Sequence, residues 1–335
     1  MTVTEALAGL APHLAAVAST QRGVFTGDQA RQAGYSDSEI QRLRRLRGMP
    51  GRWWSIRRGV YVVKQWYDAL SPAERHEVNV FALHLVLVEP AVHSHVSAAV
   101  ELRLEMLDPD LDTLHVTRGD LRGSREEAGV HHHAAELPDG HVLRRGAQPD
   151  ITTRARTAVD VARHTDRLEA AVAVCDSVLR DGVTPEELTE MMIRCRNWRG
   201  ARMASRAVSM ADGRAANPGE SWSRVLLTAH GQAPTDLQTP FYDERGLIGY
   251  VDFYWEAEQT IGELDGKVKY RVAADAGPEE AAQAVVAEKL REDRLRATGL
   301  EVVRWGYGEL YRPRLLMAKV AAARARGASR RRRAS

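Results

Sequence analysis

The sequence predicts an α/β (α+β) protein built from more than one domain. Two short helices precede a hairpin near the N-terminus, and a helix, a hairpin, a helix and a strand follow one another near the C-terminus. The 335 residues are too many for one ordinary hydrophobic core and fit two or three domains. We therefore expect distinct folded regions at the two ends, joined by a less distinctive middle region.

The first region contains two short helices within residues 24–43. Thr26 is placed to cap the first helix, and Ser36 can cap the second, with Glu39 three residues later as a capping box. Small apolar faces on both helices predict a helix-turn-helix. The run 53–63, rich in tryptophan and valine, predicts the hairpin that would form its wing.

Basic residues concentrate where such a module would meet DNA. They lie at the end of the second helix and around the hairpin: Arg42, Arg44, Arg45, Arg47, Arg52, Arg57 and Arg58. A solvated helix face also accounts for one arginine cluster, whereas a second cluster on the adjacent hairpin favours a surface that follows the phosphate backbone. The Leu-Arg-Gly-Met and Arg-Arg-Gly-Val-Tyr segments, at 46–49 and 57–61, resemble the winged-helix domain of AbiEi-type antitoxins. That resemblance covers roughly residues 5–65 and implies a DNA-binding repressor.

The middle region predicts alternating helices and strands. A helix is expected from Pro72, strands at 114–117 and 129–133, and helices from 152 to about 210. This portion resembles the linker that follows the winged helix in AbiEi-related proteins. His131 and His133 would share one face of a strand, but no carboxylate partner is evident, so we expect packing rather than metal binding there.

An acidic and basic ladder dominates the C-terminal region. The segments Val-Asp-Phe-Tyr-Trp, at 251–255, and Ile-Gly-Glu-Leu-Asp-Gly-Lys, at 261–267, predict the two strands of a hairpin. Alternation along a strand puts Glu263, Asp265 and Lys267 on one face. If Asp252 projects to the same face, the carboxylates and the ammonium would hold Mg²⁺ or Mn²⁺ beside a phosphate. The alternative is the solvated face of an antiparallel sheet.

Flanking elements give this ladder a characteristic order. Glu220 lies in the first turn of a predicted helix upstream, and a basic helix over 280–298 and a strand over 300–305 follow the hairpin. This order, with the Val-Asp-Phe and Glu-Leu-Asp-Gly-Lys segments, resembles the Vsr-like branch of the PD-(D/E)XK nuclease superfamily and its restriction-endonuclease-like sheet. The resemblance covers about the last third of the chain.

The resemblance implies a role for each acidic residue. Asp252 and Glu263 would be metal ligands, Asp265 could be a third ligand, and Glu220 would be an outer carboxylate. The superfamily pattern has a lysine where this chain has Asp265. Lys267 could supply the missing charge, so either Asp265 or Lys267 would occupy the third position of the motif.

These regions divide the chain into five segments. We expect a winged helix-turn-helix, a mixed α/β middle region, a helical connector, a Vsr-like nuclease domain and a basic disordered tail, at 1–66, 67–150, 151–212, 213–326 and 327–335. Two functions are compatible with them. One is a Mg²⁺-dependent endonuclease that acts on DNA in repair or defence. The other is an AbiEi-like antitoxin or repressor with an inactive nuclease fold, with a cognate toxin or a second copy as partner.

The composition narrows the class of protein but does not indicate a function. The net charge of +2 is only mildly basic, so the case for nucleic acid depends on the local clusters. Two cysteines are too few for a disulfide framework, which favours a reducing cytoplasm. No apolar run is long enough to span a bilayer, and the N-terminus does not have the pattern of a secretion signal, so we expect no membrane partner.

Overall fold

The computed structural model describes residues 1–45, 53–87, 91–265 and 278–334. The chain forms two compact units, which we call the N-terminal unit (Met1–Leu104 and Pro109–Val161) and the C-terminal unit (Glu105–Asp108 and Ala162–Ser335). Helices combine with mixed sheets, which confirms the predicted α/β class. None of the described helices is both long enough and apolar enough to cross a bilayer.

The N-terminal unit begins with four helices and a small sheet. Its elements up to residue 84 are α1 Val3–Leu7, α2 Pro12–Thr20, β1 Phe25–Thr26, α3 Gly27–Gln32, α4 Asp37–Arg45, β2 Trp53–Arg57, β3 Val60–Val63, α5 Lys64–Ala69 and α6 Pro72–His84. Elements β4 Val92–His93, α7 His95–Glu101, β5 Leu114–Arg118, β6 Arg125–Glu127, β7 Val130–Ala134, a 3-10 turn Asp139–His141, β8 Val142–Leu143, β9 Ile151–Thr152 and α8 Arg154–His164 follow.

The first part of this unit has the predicted helix-turn-helix and hairpin. Thr26 Oγ1 accepts a hydrogen bond from the Gln29 amide at 3.2 Å, and Ser36 exchanges bonds with Glu39 in the expected capping box. Strands β1, β3 and β2 pair in that order, so the wing is confirmed as a hairpin. Phe25 packs edge-on against Trp53 with ring centroids 4.7 Å apart, which anchors the sheet in the core beneath the helices.

The second part of the unit is a six-stranded mixed sheet with the order β6-β7-β5-β4-β9-β8. Strands β5 and β7 run parallel, with Leu114 opposite Val130. Apolar side chains of α6, including Val80 and Leu83, join those two strand residues in a small core. The predicted strands at 114–117 and 129–133 are therefore confirmed.

The C-terminal unit consists of helices around a four-stranded sheet. Its elements are α9 Leu168–Arg180, α10 Pro185–Arg194, α11 Ala201–Met210, α12 Pro218–Ala229, β10 Asp236–Asp243, β11 Gly246–Trp255, β12 Thr260–Asp265, α13 Pro278–Ala297, β13 Glu301–Gly306, α14 Tyr307–Leu310 and α15 Pro313–Ala334. The strand order is β10-β11-β12-β13; the first three strands are antiparallel, and β13 is parallel to β12.

Two apolar clusters form around this sheet. One combines α12 and α15 with buried rings of the strands, among them Phe253, Trp255 and Trp305. The other combines Leu295 of α13 with Ile261 and its neighbours. Gly262 is needed at the centre of the first cluster, since a Cβ there would lie 2.8 Å from ring atoms of both tryptophans.

The C-terminal tail differs from its prediction. Helix α15 continues through Ala334, where we expected a disordered tail from residue 327. Arg330 lies 3.1 Å from a carboxylate oxygen of Glu301, and Arg331 donates to the Ala257 carbonyl at 3.0 Å. These contacts, together with the helix, give the basic residues an ordered position. The expected segments 1–66 and 67–150 lie within one compact unit, apart from residues 105–108.

Candidate functional site

Glu220 occupies the first turn of α12, as the sequence predicts, and its carboxylate is held by the local chain. Asn217 caps the helix, accepting from the amides of Gly219 and Glu220 at 2.9 and 3.1 Å. The Asn217 side-chain amide donates to Glu220 Oε1 at 2.6 Å, and the Ala216 amide donates to Oε2 at 2.7 Å. Glu220 therefore has a helix-capping role in addition to any chemical one.

Buried polar contacts fix the position of helix α12. Arg224 donates both Nη2 bonds to the Asp176 carboxylate of α9, at 2.9 and 2.7 Å. On the sheet side, the Trp305 indole donates to Ser223 Oγ at 2.9 Å. Helix α12 is thus tied to α9 and to β13, so the Glu220 carboxylate cannot easily turn away from the sheet.

Gln238 connects Glu220 to Asp252. Its Nε2 donates to Glu220 Oε2 at 3.0 Å and, more weakly, to Asp252 Oδ1 at 3.3 Å. The backbone of Gln238 has a φ of +49°, which L-residues rarely adopt within a strand. The other Asp252 oxygen accepts a hydrogen bond from the backbone amide of Leu264 on the neighbouring strand, at 2.8 Å. Two carboxylates of different elements therefore meet around one amide.

The electrostatics of this pair are unfavourable for two ionised groups. Burial, followed by the negative charge of Asp252, raises the pKa of Glu220 to about 7. Backbone and side-chain donors oppose the shift but do not cancel it. Near neutral pH the pair therefore exchanges a proton readily, and a cation placed between the two carboxylates would relieve their repulsion.

Glu263 and Asp265 have other partners. Glu263 is buried and forms ion pairs with Arg291 of α13 and with Arg304 of β13, the latter at 2.6 Å. Asp265 is exposed and lies 3.8 Å from Arg304. Two guanidinium groups thus neutralise the carboxylate that the sequence assigns to a metal.

The expected ligand set of Asp252, Glu263 and Asp265 stays a prediction. Among the described residues, no three carboxylates have oxygens within 4.8 Å of one another. The physical reason is the arginine pairing of Glu263, while Asp252 adjoins Glu220. Lys267 lies outside the described residues.

Sequence reasoning missed two residues at this site. Gln238 gave no signal, because its role depends on strand register and an unusual backbone angle. Arg304 was read only as part of a strand, although its place opposite Glu263 follows from the parallel pairing of β12 with β13. A predicted register for that pair would have indicated the contact.

The predicted DNA-binding arginines have different environments. Arg42, Arg44 and Arg45 are exposed at the end of α4, and the Arg44 guanidinium stacks 5.4 Å from the Tyr61 ring centre. Arg58 is exposed in the wing turn, whereas half-buried Arg57 donates to the Ala128 carbonyl at 2.8 Å. Arg57 thus has a structural contact within the N-terminal unit. Arg47 and Arg52 lie outside the described residues.

We predict that Asp252→Asn lowers the pKa of Glu220 towards its ordinary range, because the substitution removes the charge of Asp252 and leaves only burial. A folded pKa above the unfolded value means that the contribution of Glu220 to stability is complete below about 4.5 and is lost as pH rises through about 7. Between pH 4.5 and pH 7, the Asp252→Asn variant should therefore lose less free energy of unfolding than the wild type does. Carboxyl NMR titration and urea unfolding of the metal-free protein measure both effects.

Glu244→Gln is the matched control, because Glu244 lies in the exposed turn between β10 and β11, the strand that carries Asp252. This change should leave the titration of Glu220 unchanged. An unaltered Glu220 titration in Asp252→Asn would contradict the coupling of the two carboxylates.

Comparison with known proteins gives two relatives, both from Mycobacterium tuberculosis. They are the uncharacterized proteins MT2308, of strain CDC 1551 / Oshkosh, and Rv2248, of strain ATCC 25618 / H37Rv. Each is 31% identical to this chain over 153 residues, which cover 45% of this chain and 53% of the relative. The chain thus spans about half the length of the curated relatives it matches. No family model matches the chain, and no solved structure matches it.

Proposed function

We propose that the protein binds DNA through its N-terminal unit and hydrolyses phosphodiester bonds in its C-terminal unit with the help of a divalent cation. The observation that carries this proposal is that buried Glu220 and half-buried Asp252 share one amide donor, with the pKa of Glu220 raised to about 7 by burial and by the charge of Asp252. Perturbed carboxylates of this kind are typical of reactive sites, although ion-pair networks also produce them.

Mg²⁺ or Mn²⁺ fits this pair chemically. Both carboxylates offer hard oxygen donors, and Mg²⁺ commonly takes only one or two protein carboxylates and completes its shell with water and phosphate oxygens. Glu220 and Asp252 would hold the ion. When bound, it would polarise a scissile phosphate and lower the pKa of an attacking water.

The other site residues suit the remaining tasks of hydrolysis. A carboxyl with a pKa about 7 is well matched to accept a proton from water near neutral pH, so an arrangement in which Asp252 alone holds the ion gives Glu220 the role of general base instead. Arg291 and Arg304 adjoin Glu263 and are cations of the kind that stabilise charge on a phosphate. Lys267 keeps its expected role of balancing charge on the transferring group.

We predict that Asp252→Asn reduces Mg²⁺-dependent cleavage of DNA by roughly a hundredfold or more, because one of the two carboxylates that hold the cation loses its charge. Rates are measured on labelled double-stranded, single-stranded and mismatched DNA, with chelator as a blank. Asp236→Asn, at an acidic position on the adjacent strand β10, is the matched control and should keep the wild-type rate. Equal rates for wild type and Asp252→Asn would show that the activity belongs to another site or to a contaminant.

A DNA-binding role for the N-terminal unit is supported by the exposed arginines of α4. Arg42, Arg44 and Arg45 end a helix that follows a helix-turn and lies beside the wing hairpin. All three side chains are exposed, so each can contact a phosphate without burying a charge. Phosphate contacts of this kind give salt-dependent, sequence-independent affinity.

We predict that replacing Arg42, Arg44 and Arg45 together with alanine weakens DNA binding and makes its salt dependence shallower, by about one unit of slope for each lost phosphate contact. Fluorescence anisotropy over a range of salt concentrations measures both quantities. The exposed arginines in and just before α11, at 199, 202 and 206, provide a control triple variant with the same change in net charge. Identical slopes for the two triple variants would contradict a specific surface on α4.

A repressor or antitoxin with an inactive nuclease fold is the second candidate function. The arginine pairing of Glu263 favours it, because a carboxylate already neutralised by Arg291 and Arg304 is less available to a metal. A cognate toxin or a second copy of the chain would then be the partner. Wild-type protein that binds DNA yet cleaves none of the labelled forms would select this function.

A cytoplasmic location is part of the proposal. Cys175 and Cys195 are both buried, and burial raises the pKa of the Cys175 thiol, so this thiol stays protonated and unreactive. Thiols of this kind need no oxidising compartment.

A further inference from the structure

The β10–β11 hairpin of the C-terminal unit extends beyond the end of β12. Strand β12 pairs with β11 over Phe253 to Trp255, whereas β10 pairs with β11 as far as Asp243 and Gly246. Residues 239–251 therefore form a two-stranded arm. A two-stranded ribbon is marginally stable by itself, so its order depends on what packs against it.

Helix α13 covers one face of this arm. Phe241 and Val251 pack with Leu295 of α13 in one apolar cluster. Arg294 of the same helix donates to both carboxylate oxygens of Asp243, at 2.7 and 2.6 Å. The arm is therefore held in place along its length and at its tip.

Large side chains are exposed on the other face of the arm. Side chains alternate along a strand, so Tyr242 and Tyr250 point away from their neighbours Phe241 and Val251. The two tyrosines are 62% and 57% exposed, and Leu247, which pairs with Tyr242, is 46% exposed. We call Tyr242, Leu247 and Tyr250 the tyrosine surface. Adjoining exposed rings and aliphatic groups commonly mark a binding site.

The tyrosine surface lies on the same side of the sheet as Glu220. The neighbouring residues Val302 and Val303 of β13 belong to different apolar clusters, the first with α13 and the second with α12. Since neighbouring strand residues point to opposite faces, α12 and α13 cover opposite faces of the sheet. The face of the arm that α13 does not cover is therefore the face that carries α12.

Positions two residues apart on β10 connect the tyrosine surface to the Glu220–Asp252 pair. Asp236 binds Arg214, whose side chain is 55% exposed, Gln238 donates to the carboxylate pair, and Pro240 lies opposite Tyr250. Each step of two residues covers roughly 7 Å. A guanidinium, a carboxylate pair and an aromatic surface therefore follow one another along one strand.

The arm is protected against pairing with a strand of another chain. Strand β10 lies at the edge of the four-stranded sheet, and Pro240 is in its middle. Proline has no N–H to donate, which disfavours the addition of a further strand at such an edge. A ligand of this region is therefore expected to lie on the face of the arm.

Unpaired bases fit this surface better than a duplex does. Bases within a duplex stack on one another about 3.4 Å apart, so their faces are covered. Bases of a single strand stack on aromatic side chains with little dependence on sequence. A single strand lying along β10 can place bases on the tyrosines and a phosphate beside the carboxylate pair. The next phosphate is then within reach of Arg214.

We propose that the tyrosine surface holds unpaired bases of the substrate strand, so that the C-terminal unit acts on single-stranded DNA. Tyr250 precedes Asp252 by two residues, which places a stacked base next to the phosphate at the carboxylate pair. The inference rests on the proposed nuclease function and selects its substrate among the forms of DNA.

Photocrosslinking with oligonucleotides that contain 5-iodouracil tests this contact, because ultraviolet light joins that base to an aromatic ring stacked on it. The full-length protein is irradiated with the oligonucleotide in chelator, which prevents cleavage, and mass spectrometry locates the crosslinks. We expect crosslinks at Tyr242 or Tyr250 with a single strand, and at least about fivefold fewer with the blunt duplex. Tyr311, which is 65% exposed in the same unit, is the internal control and should have none.

Cleavage gives a second measurement. Tyr242→Ser combined with Tyr250→Ser should slow cleavage of single strands by about tenfold, since stacking on both rings is lost, whereas Tyr311→Ser should keep the wild-type rate. Crosslinks only outside the tyrosine surface, or equal yields with single strand and duplex, would overturn the inference even if DNA is cleaved. Crosslinks at the two tyrosines without cleavage of any DNA would support this surface and contradict the nuclease function instead.

Discussion

The candidate site of the C-terminal unit depends on one constraint: the carboxylates of Glu220 and Asp252 lie on either side of the Gln238 side-chain amide. Glu220 and Asp252 belong to a helix and a strand far apart in sequence, and both accept from Gln238. Neighbouring ionised groups repel each other strongly in a partly dry site. The structure maintains this arrangement with a capped helix, a buried Arg224–Asp176 pair and a strained Gln238 backbone. Unfavourable local energies held in this way are typical of sites selected for chemistry rather than for stability.

The contrast with Glu263 clarifies what the site can do. Glu263 is also buried, but Arg291 and Arg304 compensate its charge, so it needs no cation. The Glu220–Asp252 pair accepts hydrogen bonds from the backbone and side-chain amides of its surroundings, among them those of Gln238, Ala216 and Leu264. Two carboxylates close together at one place, and a carboxylate paired with two arginines in the same unit, give the C-terminal unit both an attraction for cations and a source of positive charge for a phosphate.

Local signals in the sequence predicted more than long-range ones did. The caps at Thr26 and Ser36, the wing hairpin and the first-turn position of Glu220 depend on residues a few positions apart, and the structure has all of them. The partner of Asp252 depends on strand register and on the φ angle of Gln238, which no sequence pattern indicated. The contact of His115 with His131 and His133 needs the parallel pairing of β5 with β7, so these histidines looked like separate packing residues. Arg57 also looked like a phosphate contact until its bond to Ala128 was seen.

Proton release on Mn²⁺ binding tests most directly whether the Glu220–Asp252 pair is a cation site. Calorimetry of the wild-type protein in buffers of different ionisation enthalpy gives the number of protons displaced, with Asp252→Asn subtracted as the blank. Because the pKa of Glu220 is about 7, binding near pH 6 should release nearly one proton and binding near pH 8 very little. Equal Mn²⁺ uptake by both proteins, or uptake by the wild type without proton release at the lower pH, would contradict the account.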